Sequence, residues 1–474
     1  MGLVNRSLVT IDDFSNEEIE AMFFLADEMS SKIKEQANVC QGKIMASLFF
    51  EPSTRTRLSF ETAMHRLGGS VISAVDIGAT SLAKGESLAD MARIVGSYAD
   101  IIVIRHPWEG AAKVVADYSG IPVINAGDGG HQHPTQTLCD LYTIRKERQT
   151  IRGLRIALWG DLKYGRTIHS LIFALAKFGT DILFCPSPGL KVPEHIIKKL
   201  IKEYGGEIER YDTSNQVSEK QSFPLDAIYI TPGSPHQLAM MPNIDIQVEL
   251  KTGVDALYVT RPQKERFTTA EKQGLTGKYP VVDKKLLRER EFKKTLIMHP
   301  LPRVDELAYE LDSDPRSMYF KQAAWGVPVR MALIALLLGA KKVDIPEAKE
   351  SAHKIEYPVY KREFGVRCNN SRCVSVQESE KKYLKPEFKI VDTKPLTLRC
   401  VYCEHGIEPK FVASAEWHDG TLTQKKYHSA NSHWSQKIKL ENLIIFESKS
   451  EAEAHGFKPS HYAEVSHRKK IKGE

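Results

Sequence analysis

The chain has 474 residues, 42% of them hydrophobic and 27% charged, with a formal net charge of +6. That length points to about three compact domains, and so mild a basic excess suits anionic small ligands better than nucleic acid. Met1-Gly-Leu-Val-Asn-Arg6 lacks the regions of a signal peptide, and the apolar run Met331–Leu338 falls far short of the ~20 residues of a membrane span, so a multidomain cytoplasmic protein is expected.

Lys43–Phe50 predicts the first strand, and Ser53-Thr-Arg-Thr-Arg57 leads from it into a helix over Arg57–Leu67. A helix start offers unpaired N–H groups and the positive end of a dipole, hence an anion site. The simpler alternative is a Ser/Thr helix cap beside surface arginines. A second strand, Ser70–Asp76, precedes the loop Ser81-Leu-Ala-Lys-Gly-Glu86, where Lys84 beside Gly85 could reach an anion; a loop lysine is more often merely solvated. After the helix Leu88–Tyr98, the strand Asp100–His106 ends in Arg105-His-Pro107. The strand Pro122–Ala126 is followed by His131-Gln-His-Pro-Thr-Gln136, which opens the helix Thr135–Lys146. A histidine at a strand's carboxyl end can donate to a developing oxyanion, and Gln136 offers an amide for recognition. A polar helix start, or a metal pair of His131 and His133, are the alternatives; the motif contains no carboxylate or cysteine to complete a metal site.

The polar stretch Arg145–Gly153 marks a domain boundary. Beyond it, the strand Arg155–Asp161 runs into Gly160-Asp-Leu-Lys-Tyr-Gly-Arg-Thr167, which fits a P-loop except that Arg166 stands where lysine is required. A guanidinium does not replace that compact ammonium, so Arg166 suits a carboxylate ligand better than an ATPase. The helices Thr167–Phe178 and Pro193–Tyr204 flank the strand Asp181–Ser187. Asp226-Ala-Ile-Tyr-Ile-Thr231 and Asp255-Ala-Leu-Tyr-Val-Thr260 are near-copies, either two similar strands or a local duplication. Arg261-Pro-Gln-Lys-Glu-Arg266 offers two guanidinium clamps and the Gln263 amide for a dicarboxylate, unless it is a charged helix start. The strand Thr295–Pro300 leads into His299-Pro-Leu-Pro-Arg303, whose prolines stiffen a loop with carbonyls able to accept from an amine.

This alternation predicts parallel sheets with helices on both faces. Roughly 300 residues of it exceed one ordinary sheet, so two doubly wound α/β domains are expected, followed after Ala340 by a small β-rich domain. There, Cys368-x4-Cys373 and Cys400-x2-Cys403 form the two knuckles of a structural zinc site. Disulfides are disfavoured in a reducing compartment. A zinc-ribbon nucleic-acid binder would draw only on the basic end Ser466–Lys472, which by itself reads as solvated. Cys40, Cys139 and Cys185 read as buried thiols.

Ser53-Thr-Arg-Thr-Arg57 together with His133-Pro-Thr-Gln136 resembles the carbamoyltransferases. His299-Pro-Leu-Pro302 and Arg261-x-Gln-Lys-Glu-Arg266 resemble the aspartate rather than the ornithine branch. The cysteine pattern is similar to the zinc domain of that family's separate regulatory chain, so the chain looks like a fusion of catalytic and regulatory parts. The resemblance implies a carbamoyl-phosphate domain over 1–146 completed by a helix within 305–340, an aspartate domain over 147–304 and a zinc domain over 341–474. It implies transfer of the carbamoyl group of carbamoyl phosphate to L-aspartate, early in pyrimidine synthesis, with no cofactor for the chemistry; another amine acceptor is the alternative.

By the same resemblance, Ser53, Thr54, Arg55, Thr56 and Arg105 hold the phosphate, and Thr56, Arg105 and His133 face the carbonyl oxygen. Gln136 and the backbone carbonyls of Pro300 and Leu301 receive the carbamoyl group. Arg166, Arg261 and Gln263, with Lys84, bind aspartate. Ser81 and Lys84, which also bind carbamoyl phosphate, come from a neighbouring subunit, which implies a homotrimer, with pairing of trimers left open. Cys368, Cys373, Cys400 and Cys403 hold zinc. Two departures stand out: the stretch 341–367 is too short for the regulatory chain's nucleotide-binding domain, so no effector site is expected, and Asp212–Asn243 reads as an extra segment of unassigned role, as does the chain after Cys403.

Overall fold

The computed structural model describes residues 2–163, 165–186, 189–205, 209–210, 226–231, 254–261, 281–289, 292–346, 355–361, 365–381, 383–415, 417–418, 421–422 and 425–460. By contact, Met1–Pro107 with Val115–His353 form one unit, and Trp108–Val114 with Lys354–Glu474 form a second.

In the first unit, Ser15 caps the opening helix α1 (Asn16–Ser31) by accepting from the Glu18 N–H, while the Glu18 carboxylate accepts from the Ser15 N–H. The first sheet follows: β1 (Ile44–Phe49), α2 (Thr54–Arg66), β2 (Ser70–Val75), α3 (Leu88–Tyr98), β3 (Ile101–His106), α4 (Ala111–Ser119) and β4 (Val123–Asp128). Its order is β2-β1-β3-β4, all parallel. Strands β3 and β4 are buried along their whole length, as strands covered on both faces must be.

Helix α5 (Pro134–Arg148) crosses the boundary expected at residue 146 and delivers Arg148 to the second sheet. That sheet contains β5 (Arg155–Gly160), α6 (Arg166–Lys177), β6 (Asp181–Pro186), α7 (Glu194–Tyr204), β7 (Glu209–Arg210), β8 (Ala227–Thr231), β9 (Ala256–Val259) and β10 (Leu296–Met298). Its order is β10-β9-β8-β5-β6-β7, again all parallel. Helix α8 (Tyr319–Leu337) is apolar nearly all round and packs against α1, α2 and α5, returning the chain to the first sheet.

The near-copies are two neighbouring strands in register, Ala227 opposite Ala256 and Tyr229 opposite Tyr258. The repetition has a physical use. Arg148 donates to both Asp226 and Asp255, one before each strand, and the two tyrosine rings stack at 4.2 Å and 11°. The reading of Asp212–Asn243 as an extra segment therefore fails for its strand, because β8 lies between β5 and β9 in the middle of the sheet. Residues 212–225 and 232–243 of that expectation lie outside the described residues.

The second unit is β-rich, as expected, and holds two four-stranded sheets built mainly from antiparallel pairs. The first contains β11 (Val359–Lys361), β12 (Glu387–Thr393), β13 (Leu396–Cys400) and β14 (Gly406–Ile407), with Cys400 ending β13 and Cys403 in the turn before β14. The other, built from β15 (Phe411–Ser414), β18 (Lys426–Ser429), β19 (Leu443–Phe446) and β20 (Lys458–Pro459), has its own core of Ala413, Tyr427, Ile444 and Phe446; β16 (Trp417–His418) and β17 (Thr421–Leu422) form a separate pair. Glu109, in the short 108–114 segment of this unit, joins the cysteine knuckle: its N–H donates to Arg372 O, its carbonyl accepts from Val374 N–H, and its carboxylate accepts from Asn370 at 2.7 Å.

Candidate active site

In an open parallel sheet, ligands bind beyond the carboxyl ends of the strands where the strand order reverses. In the first sheet the reversal lies between β1 and β3, in the second between β5 and β8. The β1 tip carries Glu51 and the Ser53–Thr56 turn; the β3 tip carries Arg105. At the second reversal Gly160 has φ +96°, and a Cβ there would lie 2.0 Å from Thr231 O, so only glycine lets the β5 and β8 tips approach this closely.

Ser53 is the N-cap of α2 but makes no side-chain capping bond, so its hydroxyl is not used by the helix. Thr56 is buried and Arg55 exposed. Arg105 is 6% exposed. Its guanidinium donates to Ala126 O at 3.3 Å and to the Glu51 carboxylate at 2.8 Å. Gly127, at φ +117°, leaves room for Arg105 and His133: a Cβ there would sit 3.0 Å from Arg105 Nη1 and 3.3 Å from His133 Cδ2.

His133 caps α5 by accepting from the Gln136 N–H at its Nδ1. That assigns the proton of the neutral ring to Nε2, which lies 3.4 Å from Arg105 Nη1. Two N–H donors thus stand side by side, the arrangement an oxyanion needs. The Gln136 amide nitrogen donates to Asp140 at 2.8 Å, leaving its oxygen as the end able to accept.

At the β10 tip, Leu301 N–H donates to His299 Nδ1 at 2.8 Å, so Nε2 of the neutral ring carries the proton and donates to Glu306 at 2.8 Å. Burial lowers the His299 pKa despite Glu306, and the positive charges of Arg303 and Arg55 add to the effect. Leu301 has φ +53°, a left-handed conformation that costs a non-glycine residue about 1–2 kcal/mol and is held here by its bond to His299. Arg261 is half-buried just past β9, and partial desolvation first and the charge of Arg261 second lower the Arg55 pKa. Arg55, Arg261 and the His299 loop are therefore neighbours, although they come from three strand tips and two sheets.

Arg166 opens α6, with its side chain outside the described residues, as are Gln263 and Arg266. Ser81 and Lys84 lie exposed on a short helical turn, where Ser81 bonds Glu86. Sequence reasoning missed Glu51, Asp140, Tyr258, Glu306 and Gln322. Of these, only Asp140 carried a signal, its i+4 spacing from Gln136 on one helix face.

In the second unit, the sulfurs of Cys368, Cys373, Cys400 and Cys403 all lie within 4.8 Å of one another, buried and outside any disulfide. Cys368 and Cys403 are 3.6 Å apart and Cys373 and Cys400 3.8 Å. A tetrahedral thiolate zinc site with bonds near 2.3 Å has sulfur–sulfur edges of about 3.8 Å, so this donor set fits such an ion. The Ser375 hydroxyl lies 3.1 Å from Cys373 Sγ, placed to steady a thiolate.

Three protein-family descriptions match the chain: Aspartate/ornithine carbamoyltransferase, carbamoyl-P binding domain, over residues 6–146; its Asp/Orn binding domain over 236–337; and the Aspartate carbamoyltransferase regulatory chain, metal binding domain, over 362–412. The aspartate carbamoyltransferase catalytic subunit of Thermoplasma acidophilum is 47% identical over 340 residues, which cover 71% of this chain and 99% of that protein. Among solved structures, the catalytic subunit of M. jannaschii aspartate transcarbamoylase is 43% identical with a TM-score of 0.56, covering 70% of this chain and 98% of its own. Aspartate transcarbamoylase from Trypanosoma cruzi, in complex with carbamoyl phosphate and aspartate, is 36% identical with a TM-score of 0.57, covering 71% of this chain and 98% of its own.

Proposed function

This chain belongs to the aspartate carbamoyltransferase family, and from that premise we propose how its own residues carry the reaction. It transfers the carbamoyl group of carbamoyl phosphate to the amine of L-aspartate, giving N-carbamoyl-L-aspartate and phosphate. The product feeds pyrimidine synthesis in the cytoplasm, a placement that suits thiols gathered for a metal rather than for disulfides.

The uncapped start of α2, with Ser53, Thr54, Arg55 and Thr56, receives the phosphate together with Arg105. Glu51 accepts from one edge of the Arg105 guanidinium, so phosphate bound at that edge would replace one anionic partner by another. The aspartate amine attacks the carbamoyl carbon, and negative charge grows on its oxygen. Thr56, Arg105 and His133 Nε2–H stabilise that charge, and the observation that carries this reading is the adjacency of the last two at 3.4 Å. Gln136 and the carbonyls of Pro300 and Leu301 receive the carbamoyl NH2 group. Arg166, Arg261 and Gln263 hold the two carboxylates of aspartate, with Lys84 contributing to both ligands. Departing phosphate takes the amine proton. Positioning and charge stabilisation supply the rate.

Ser81 and Lys84 act in the neighbouring subunit's site of a homotrimer. Strand β2 is a sheet edge whose Ile72 and Val75 are exposed, as are Leu58 on α2 and Ile94 and Tyr98 on α3, apolar side chains that suit contact with another subunit. The four cysteines would hold a structural zinc ion, whose binding would close the two knuckles.

The assay is direct. Carbamoyl phosphate and aspartate should yield carbamoyl aspartate, and ornithine should not replace aspartate; a preference for ornithine overturns the acceptor. Mixing inactive Arg55→Ala and Lys84→Ala proteins after mild dissociation should restore part of the activity, whereas no rescue argues for a site complete within one chain.

A further inference from the structure

Asp140 lies within α5, 1% exposed. Its Oδ1 accepts from three neutral donors: Gln136 Nε2 at 2.8 Å, Tyr258 OH at 2.9 Å and Gln322 Nε2 at 2.9 Å. Gln322, on α8, also donates to Tyr258 OH at 3.2 Å, and its side-chain oxygen accepts from the His299 N–H at 3.1 Å. Asp140 Oδ2 is buried and has no hydrogen-bond partner among the described residues. One oxygen atom thus ties the start of α5, in the first sheet's half of the unit, to β9 and the β10 tip in the second.

A buried carboxyl group without a bonded cation is costly to desolvate. The cost makes sense through what the acceptor holds. Gln136 is bonded by its nitrogen, which fixes which end of the amide faces the ligand. Through Gln322 the same acceptor anchors His299, whose ring in turn holds the strained Leu301.

We propose that Asp140 is a positioning residue for carbamoyl transfer, setting the Gln136 amide and the Pro300–Leu301 carbonyls in register across the two sheets. The inference rests on the roles assigned above to Gln136 and to the 300–301 carbonyls. Burial pushes the Asp140 pKa up to about 7, and the three donors bond Oδ1 in either protonation state. The relay therefore does not depend on the charge of this group.

A double-mutant cycle on the full chain tests it, with kcat and KM measured for both substrates. Asp140→Ala should lower kcat about 10- to 100-fold while KM for carbamoyl phosphate moves less than about threefold, because the phosphate contacts are untouched. Asp140→Asn, which keeps the acceptor oxygen, should stay within about threefold of the parent. In a Gln136→Ala background, Asp140→Ala should cost much less than it does alone. Full additivity of the two substitutions, or equal losses in Asp140→Asn and Asp140→Ala, overturns the proposal. Should Asp140→Ala fail to fold, Gln322→Leu cuts the link to His299 and should lower kcat selectively; an unchanged kcat there is equally fatal. A normal kcat in Gln136→Ala alone would instead strike at the role assigned to Gln136, so the two failures are distinguishable.

Discussion

Arg55 illustrates how charge is concentrated at single residues. Its pKa is lowered by partial desolvation first and by the nearby charge of Arg261 second, a cost offset when a dianion arrives. Arg55→Ala should lower kcat by about a hundredfold or more, the scale of a lost oxyanion or phosphate donor, and near-normal turnover would count against the phosphate role. His106, next to Arg105, gives a pH signature. Desolvation in its buried site lowers its pKa from 6.5 to about 3, with Asp128 and Glu51 pulling weakly the other way. Between those values the unfolded chain binds a proton that the folded chain does not, so stability falls as pH drops from 6.5 towards 3. Replacing it in His106→Gln should flatten that acid limb in denaturant titrations; an unchanged slope would assign the limb to other groups.

At the scale of elements, the chain's punctuation was legible. The turn after β1, the histidines before α5 and the proline loop after β10 all stand where local residue types put them, because strand ends and helix starts are set by nearby propensity and hydrogen bonding. The two Asp-Ala-x-Tyr-x-Thr copies were visible but ambiguous; only pairing made them adjacent strands with one shared arginine. The boundary expected after Lys146 coincides with the end of the carbamoyl-P-binding match at 146, and the helix itself runs two residues further, to Arg148. The close approach of β5 and β8 yields a prediction. Gly160→Ala should cost at least about 2 kcal/mol in urea unfolding, since both its φ and the Thr231 carbonyl reject a Cβ. A loss below about 0.5 kcal/mol would mean that these tips yield easily.

For the whole molecule, the metal site and the second unit stand or fall together. Four sulfurs at tetrahedral spacing, with Glu109 bonded into the same knuckle, would make a metal ion held there part of the fold. Elemental analysis should find about one zinc per chain. Mercurial displacement or chelation should make the chain between 355 and 460 protease-sensitive, and a second unit that stays resistant without metal would make the ion dispensable. The sheet of β15, β18, β19 and β20 lies largely beyond the regulatory-type match at 362–412, with a core of its own, and the cysteine spacing alone gave no sign of it.

The amino-acid order by itself determined the alternation of strands and helices, the cationic and hydroxyl residues at their ends and the thiolate knuckles, because these are local patterns read over a few residues. Only the tertiary structure decided which tips meet and what holds them in place: Asp140 draws on Tyr258 and Gln322, 118 and 182 positions away. Such long-range partners arise from how two sheets and a returning helix pack, and no short stretch of chain encodes that geometry.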